Sequence, residues 1–401
     1  MPREPGGLPF LAGIRPVIRK EFRQIRRDPR SLIFLLCIPA FLLLVYGYAL
    51  NFDVKHVPLA VCDQDGTQAS RDFSGKFAAT EYFDLRYRLS DPREVDALLG
   101  REAVGIALMI PRGFGADLAA GREAKIQVLV DGAYAMTAAA AAGYVGAIAQ
   151  SQAMRYTLEV LERRGLKRLE LPLAVETRVW YNPELRSARF LVPGLMAFIL
   201  MVIVVISTAF SVVRERERGT MEQILVSPVR PADLVLGKTV PYVLISLVSA
   251  HVVLLLGFLL FGVPIRGSYL LLLLTMTLFL TGGLGQGVLI STVAKTQQVA
   301  FMISILTTFL PTFILSGFVF PIRNMPLVIQ AVTYLIPARY FLATMRAVML
   351  KGTGLGAFWK EVLFLAVFAA VTIAVSTMRL KRTGLEEKPR RILRSHRRTG
   401  P

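Results

Sequence analysis

The chain has 401 residues, of which 54% are hydrophobic and 19% charged, and its formal net charge is +19. Its two cysteines offer neither a disulfide framework nor a thiolate metal site. A chain this basic could bind nucleic acid. We expect no nucleic-acid partner, because the basic ends flank long apolar segments, as the positive-inside rule of membrane proteins predicts.

Residues 1–30 combine an apolar stripe with a dense basic surface. The stripe consists of Ile14, Val17, Ile18, Phe22 and Ile25, and six Arg or Lys residues surround it. This pattern predicts an amphipathic helix lying in the cytoplasmic membrane interface. A basic flank that only sets the orientation of the chain is the alternative interpretation.

Six stretches are long, apolar and free of Asp, Glu, Lys and Arg. A bilayer core needs about 20 helical residues, and only the last stretch, with 17, is near the lower limit. They predict a polytopic α-helical membrane protein whose first span, residues 31–52, is an uncleaved anchor. The stretches are Ser31–Phe52, Phe190–Val213, Thr239–Ile265, Gly267–Ala294, Thr296–Ile322 and Val362–Met378.

The charges are distributed unevenly along the chain. Residues 1–30 have a net charge of +5 and the basic tail 379–401 has +7, whereas residues 52–185 have −2. Because Lys and Arg near membrane ends stay in the cytoplasm, both termini are predicted to be cytoplasmic. Their excess charge also suits contact with anionic membrane lipids.

Residues 53–187, between the first two spans, predict an extracytoplasmic α/β domain. Strands are predicted at Val57–Cys62, Tyr82–Leu89, Val104–Ile110 and Ile126–Val130, with another from Leu173 to Trp180. Helices are predicted from Pro92 to Leu99 and from Ala133 to about Arg164. Asp63 and Asp65 could ligate a cation, although carboxylates in a turn more often only build the turn.

Two fragments resemble nucleotide-binding motifs without fulfilling them. Gly237-Lys238-Thr239 ends like a P-loop, but Ala232 occupies the position of the first glycine. Gly283-Leu284-Gly285-Gln286-Gly287 lies within a span, where small residues let helices approach closely. His251 and Gln286 are polar groups within spans, for which we expect interhelical hydrogen bonds rather than a site.

A charged cytoplasmic segment, residues 214–238, links the second and third spans. It begins Arg-Glu-Arg-Glu-Arg and continues the helix of the second span out of the membrane. Such alternating charge suits docking of a soluble partner, and a solvated helix end is the alternative.

This segment resembles the type-2 permeases of ATP-binding-cassette (ABC) exporters, in the subgroup with a large extracytoplasmic domain. A second matching block lies at 316–346. The first block matches at Glu215, Arg216, Glu217, Gly219, Thr220, Glu222, Leu225 and Pro228. The second matches at Ser316, Gly317, Pro321, Met325, Pro326, Pro337, Tyr340 and Arg346.

The resemblance implies that residues 322–350 form re-entrant helices on the outer side. A seventh span there would bury Arg339 and Arg346 at a cost of about 5–7 kcal/mol. We also expect an outer gate facing a second permease, because prolines break the helix at membrane depth. Its residues are Pro311, Phe313, Leu315, Gly317, Phe318, Pro321 and Arg346.

By this resemblance, the chain is the permease subunit of an exporter for hydrophobic or amphiphilic compounds in a bacterial inner membrane. It has no ATPase site, and ATP and magnesium are bound by a partner subunit that contacts Glu215–Glu222 and Pro228. A second permease, identical or homologous, completes the dimer, and a periplasmic adaptor is left open. The alternatives are a structural or assembly protein and a secondary transporter driven by an ion gradient.

Overall fold

In the computed structural model, residues 10–49, 54–163, 180–183, 186–220 and 230–395 are described, without the side chains of 10–12, 30–31 and 382–395. Contacts divide the chain into two compact units. The first contains residues 1–51 and 179–401, and the second contains 52–178. The chain enters the first unit through helices α1 (Phe10–Arg27) and α2 (Pro29–Ala49).

The second unit is a four-stranded sheet in the order β2-β1-β3-β4, parallel except for β4. The first four predicted strands and both predicted helices are present with shifted ends, and two short helices, α3 and α5, were not predicted. The elements are β1 Val57–Asp63, α3 Gln68–Ala78, β2 Phe83–Leu89, α4 Pro92–Gly100, β3 Ile106–Ile110, α5 Phe114–Ala119, β4 Gln127–Val130 and α6 Ala135–Arg163.

Strand β1 lies at the centre of this sheet and is covered on both faces. Val57, Leu59 and Val61 pack into a core with α3, α5 and α6, while Ala60 and Cys62 pack against α4. This alternation follows from the two-residue period of a strand. Of the predicted strand at 173–180, residues 173–179 lie outside the described residues, and Trp180 is not in a strand.

The carboxylates of Asp63 and Asp65 build a loop. Asp63 accepts from the backbone of Asp65 and Gly66, at 3.0 and 2.9 Å, and from Ser70 Oγ at 2.7 Å. Asp65 accepts from the amides of Gly113 and Gly115 at 2.8 and 3.0 Å. Within the described ranges no group of three His, Cys, Asp or Glu could hold a metal. The turn interpretation therefore accounts for both residues.

The first unit contains six helices long and apolar enough to cross a membrane, as far as the described chain goes. The first is α2, and each predicted stretch matches one helix. After α2 they are α7 Ser187–Glu217, α8 Pro231–Phe261, α9 Tyr269–Val293, α10 Gln297–Leu315 and, after two shorter helices, α13 Trp359–Ser395.

Helix α7 lies at the centre of this bundle, since 83% of the residues in its most apolar stretch of 18 are buried. The glycines of α9 allow close packing on both sides. A Cβ on Gly287 would lie 2.7 Å from the Val205 carbonyl oxygen of α7, and one on Gly285 would lie 2.5 Å from Thr372 Oγ1 of α13. The Gly-rich fragment therefore packs helices, as its sequence indicated.

The region predicted to be re-entrant forms two helices, α11 Leu327–Thr333 and α12 Pro337–Lys351, which meet at a bend of 81°. With 7 and 15 residues, each is shorter than the roughly 30 Å of a bilayer core. Short 3₁₀ turns precede α11 at Ile322–Asn324 and α13 at Leu355–Ala357.

Two element boundaries differ from the sequence prediction. Helix α8 begins at Pro231, so the last third of segment 214–238 belongs to the third span. Helix α13 continues to Ser395, so most of the basic tail prolongs the sixth span as one helix. Charge and polarity alone do not stop a helix, and α13 continues past Gly384 and Pro389.

Candidate functional site

Four consecutive residues at the end of α7, Arg214–Glu217, all carry charge and contact other parts of the first unit. The apolar run of α7 ends at Val213, but the helix continues through Glu217. Because successive helical residues point about 100° apart, these four side chains reach different neighbours. We call them the charged collar.

Glu215 of the collar is buried and joins three helices. Its carboxylate pairs with Lys20 of α1 and with Lys238 of α8, whose Nζ lies 2.7 Å from Oε2. Lys238 also donates to Glu21 Oε1 at 2.8 Å, and Lys20 donates to the same oxygen at 2.9 Å. Two ammonium groups thus balance two carboxylates, as burial of charge requires.

Glu21 lies on the buried face of α1 and is fully shielded from solvent. Burial by itself would raise the pKa of this carboxyl, but the charges and hydrogen bonds of Lys238 and Lys20 outweigh burial and hold the pKa below its usual value. Glu21 therefore carries its negative charge throughout the neutral pH range.

Arg216 and Glu217 hold the connection between α9 and α10. Arg216 donates to the carbonyl oxygens of Ser291 and Ala294, at 2.8 and 3.0 Å, where α9 ends. Glu217 accepts from the backbone amide of Gln297 at 2.9 Å, where α10 begins. A cation at a helix C-terminus and an anion at an N-terminus both complement the helix dipole.

Arg214 completes the collar. Its guanidinium lies 2.9 Å from Asp28, at the junction of α1 and α2. The four residues therefore connect the end of α7 to α1, α2, α8, α9 and α10. The sequence interpretation assigned these charges to docking of a soluble partner. In the structure they bond to the protein's own helices, with Glu215 buried and Glu217 exposed.

The P-loop fragment takes part in this packing. Gly237 packs closely against α1, since a Cβ added there would lie 2.6 Å from Val17 Cβ. Lys238 forms the ion pairs with Glu21 and Glu215. Thr239 Oγ1 donates to the Val235 carbonyl within α8 at 2.8 Å. Gly13 of α1 likewise gives room to Asp233, whose Oδ2 would lie 2.4 Å from an added Cβ.

The remaining predicted coupling residues follow the collar. Gly219 adopts a left-handed φ of 71° that ends the helix, as glycine readily does. Thr220 Oγ1 donates to the Glu215 carbonyl at 3.1 Å. Glu222 and Pro228 lie outside the described residues.

The predicted gate residues lie around α10 and the turn after it. Residues Ile305–Phe309 form a π-helical turn before Pro311, which has no amide hydrogen to donate. Phe313 and Phe318 both pack on Phe198 of α7, with ring centroids 5.5 and 6.1 Å away. Leu315 is half-buried and Pro321 exposed.

Gly317 and Arg346 meet where this turn approaches α7. Gly317 has a φ of 80°, and its carbonyl accepts from Arg346 at 3.4 Å. The Arg346 guanidinium lies 4.1 Å from the centre of the Phe190 ring. Phe318 is fully buried within the protomer, whereas the sequence interpretation placed it at the interface with a second copy or on the translocation path.

Gln286 and His251 behave differently from each other. Gln286 Nε2 donates to Thr308 Oγ1 at 2.8 Å and so links α9 to α10. His251 bonds to the Leu247 carbonyl of its own helix. The predicted interhelical hydrogen bond is thus confirmed for Gln286 and wrong for His251.

Glu21 and Lys238 are the residues that the sequence analysis missed. Glu21 lies four residues from both Val17 and Ile25 on α1, so an acidic residue interrupts the apolar stripe of an otherwise basic helix. Val17 and Ile25 are buried with it, whereas Phe22 of the predicted stripe is exposed. An acid at a buried helical position was the available signal for an ion-pair partner.

Comparisons with known proteins place this geometry in context. The profile of the ABC-2 family transporter protein matches residues 29–378. The chain is 36% identical over 371 residues to the probable multidrug ABC transporter permease YbhS of Escherichia coli, covering 92% of this chain and 97% of that protein. It is 32% identical over 356 residues to the probable multidrug ABC transporter permease YbhR, covering 89% and 95%. ABC transporter G family member 20 of Dictyostelium discoideum is 25% identical over 345 residues, which cover 86% of this chain and 47% of that protein.

Proposed function

The chain belongs to the ABC-2 family of transporter proteins, and we propose on that premise that it exports hydrophobic or amphiphilic compounds. It is the permease subunit, which has no ATPase site of its own, and a separate subunit binds ATP and magnesium. YbhS and YbhR are each named a probable multidrug ABC transporter permease, and these names support the proposed class of compound.

The collar is the observation that supports coupling of this permease to a separate ATP-binding subunit. Segment 221–229 follows Thr220 directly and would meet the ATP-binding subunit on the cytoplasmic side. Segment 221–229 is joined to α7 at Thr220 and to α8 at Arg230. On the α7 side, a displacement would pass through the ion pairs and hydrogen bonds of Arg214–Glu217 to α1, α8 and the α9–α10 connection. In this proposal Glu215 transmits force inside the permease and does not itself dock the ATPase.

The transport activity is tested in inside-out vesicles that contain the permease and its ATP-binding subunit. A hydrophobic dye should accumulate when ATP is added, and accumulation should stop when the ATPase subunit is inactivated. Accumulation that needs no ATP and is abolished by ionophores would favour the secondary transporter. A chain that neither moves dye nor retains an ATPase subunit would instead be a structural or assembly protein.

The proposed orientation places both termini in the cytoplasm of a bacterial inner membrane and unit 52–178 outside. Single cysteines at Thr67 and Thr353 should react with an impermeant reagent from outside, whereas those at Thr220 and Thr383 should not. Labelling of Thr383 from outside would make α11 and α12 a seventh span and overturn this topology.

A second permease, identical or homologous, is proposed to contact α10. Only 22% of the residues in the most apolar 18-residue stretch of α10 are buried within the protomer. Its side chains Leu306, Leu310 and Ile314 expose 41–66% of their surface. Cysteines at these three positions should crosslink two permeases, whereas a cysteine at buried Thr312 should not. Crosslinks formed only through exposed Val371 of α13 would place the sixth span at the interface instead. A periplasmic adaptor remains a proposal for unit 52–178.

A further inference from the structure

A cavity of about 950 Å³ lies beside the collar, between α1, α2, α7 and α8. Ligand sites usually measure about 300–1,000 Å³, so the cavity is large enough for a small molecule or a lipid headgroup. One face of α7 lines it, with Ser207, Phe210, Ser211, Arg214 and Arg218 at helical spacing. This face changes from apolar and hydroxyl groups to cations over 11 residues, or roughly 16 Å of helix.

The other walls repeat the same gradient. Helix α1 adds Lys20, Arg23 and Arg27 at the charged end, and α2 adds Phe34 and Leu35 at the apolar end. Five cations and one acid, Asp28, line the cavity. Lys20 and Arg214 are engaged in ion pairs, whereas Arg23, Arg27 and Arg218 make no ion pair with any described residue.

We propose that this cavity binds an anionic phospholipid of the adjacent leaflet, with its phosphate among Arg23, Arg27 and Arg218 and its acyl chains along Phe34 and Phe210. Arginine binds phosphate oxygens with paired, directed hydrogen bonds. Basic pockets between membrane helices hold acidic headgroups in the same way. A free phosphate would satisfy the cations but leave the apolar wall without a partner. The bound lipid would contact both α1 and α7, next to the collar.

The test measures the phospholipid retained by the full-length chain in detergent, by native mass spectrometry. Arg23→Ala with Arg218→Ala should reduce retention of phosphatidylglycerol about tenfold, since each cation near an anionic surface contributes a several-fold factor. Arg26→Ala with Lys295→Ala is the matched control, because it removes the same charge from exposed positions that do not line the cavity. The control should retain the lipid unchanged.

Two further measurements distinguish the source of the phosphate. Phe34→Gln should weaken phosphatidylglycerol binding and leave binding of inorganic phosphate unchanged, and phosphatidylcholine should be retained less than phosphatidylglycerol. Equal loss in the control pair, or equal retention of the two phospholipids, would overturn the proposal. Full displacement of the lipid by inorganic phosphate at equal concentration would reassign the site to free phosphate. None of these outcomes depends on the ATPase partner.

Discussion

At the end of α7 next to α1, four charged residues hold the neighbouring helices, whereas at the opposite end Gly194 and Phe198 pack against apolar rings. Phe318 fits against Gly194 so closely that a Cβ there would lie 2.3 Å from the ring. The collar instead depends on charges 2.7–3.0 Å from their partners. When two helices shift slightly, an ion pair between them keeps much of its attraction, whereas close-packed side chains lose theirs. We therefore expect a small helix shift to cost less at the charged end than at the aromatic end.

This comparison predicts that the collar depends on charge balance more than on volume. Lys238→Met keeps the size of the side chain but leaves Glu21 and Glu215 with Lys20 as their remaining cation. We expect a loss of about 3–5 kcal/mol in the free energy of unfolding, as for other broken buried pairs. Thermal unfolding in detergent measures the loss.

Charge balance, and not the lysine itself, should be what matters at this end. Glu21→Gln added to Lys238→Met should recover most of the lost stability, because Lys20 and Glu215 then remain as one balanced pair. Lys295→Met, at an exposed position, is the control and should unfold like the unmodified protein. A Lys238→Met protein of unchanged stability would show that the buried pairs contribute nothing.

The aromatic end should respond to volume instead. Gly194→Val should lower the free energy of unfolding by about 1–3 kcal/mol, because the buried Phe318 ring must move. Gly356→Val, where an added Cβ meets nothing within 4 Å, should have a smaller effect. Phe318→Leu should partly restore Gly194→Val. An unchanged unfolding temperature for Gly194→Val would mean that this end is not closely packed.

A smaller effect is expected at the α9–α10 connection. Arg216→Gln removes the charge that holds the Ser291 and Ala294 carbonyls, which should cost about 1 kcal/mol. Hydrogen exchange of amides near Ala294 should become faster, whereas Lys295→Gln should leave it unchanged. Equal amide exchange rates near Ala294 in the two variants would show that Arg216 does not stabilise the end of α9.

The smallest effect is a predicted absence of pH dependence. The folded-state pKa of Glu21 lies below its usual value, so its stabilising charge is present above the unfolded-state pKa and is lost only as pH falls through the folded one. The change in unfolding temperature between pH 8 and pH 6 should therefore be the same in the unmodified protein and in the Glu21→Gln variant. A Glu21-dependent loss of stability between these values would contradict the ion-pair assignment.

The spans could be predicted from sequence because each depends on one local property, an uncharged apolar run of sufficient length. The sheet strands were predicted for the same reason, since β1 is a short apolar run ended by a turn. The collar could not be assembled this way. Glu21 lies 217 positions from Lys238 in sequence and is similarly distant from Glu215, and each of the three alone resembles an ordinary solvated charge at a membrane edge.

The packing partner of Phe318 at the aromatic end could not be predicted for a related reason. Proline and glycine marked irregular backbone, seen as the π-helical turn before Pro311 and the left-handed Gly317. Such an irregularity does not say which helix covers the neighbouring side chains. Phe318 is covered by the protein's own α7, through the space left by Gly194. A one-dimensional pattern identifies a helix face and not its partner.

The central claim is that Glu215 works inside the permease, and Glu215→Gln in the purified complex tests it most directly. Two quantities are measured together: the affinity of the permease for its ATP-binding subunit and the stimulation of ATP hydrolysis by transported compound. We predict that affinity stays within about threefold of normal while stimulation is lost, since a buried pair between helices is weakened and no docking contact is removed. A loss of affinity of tenfold or more, with normal stimulation in the complex that remains, would show that Glu215 docks the ATPase and would contradict the account.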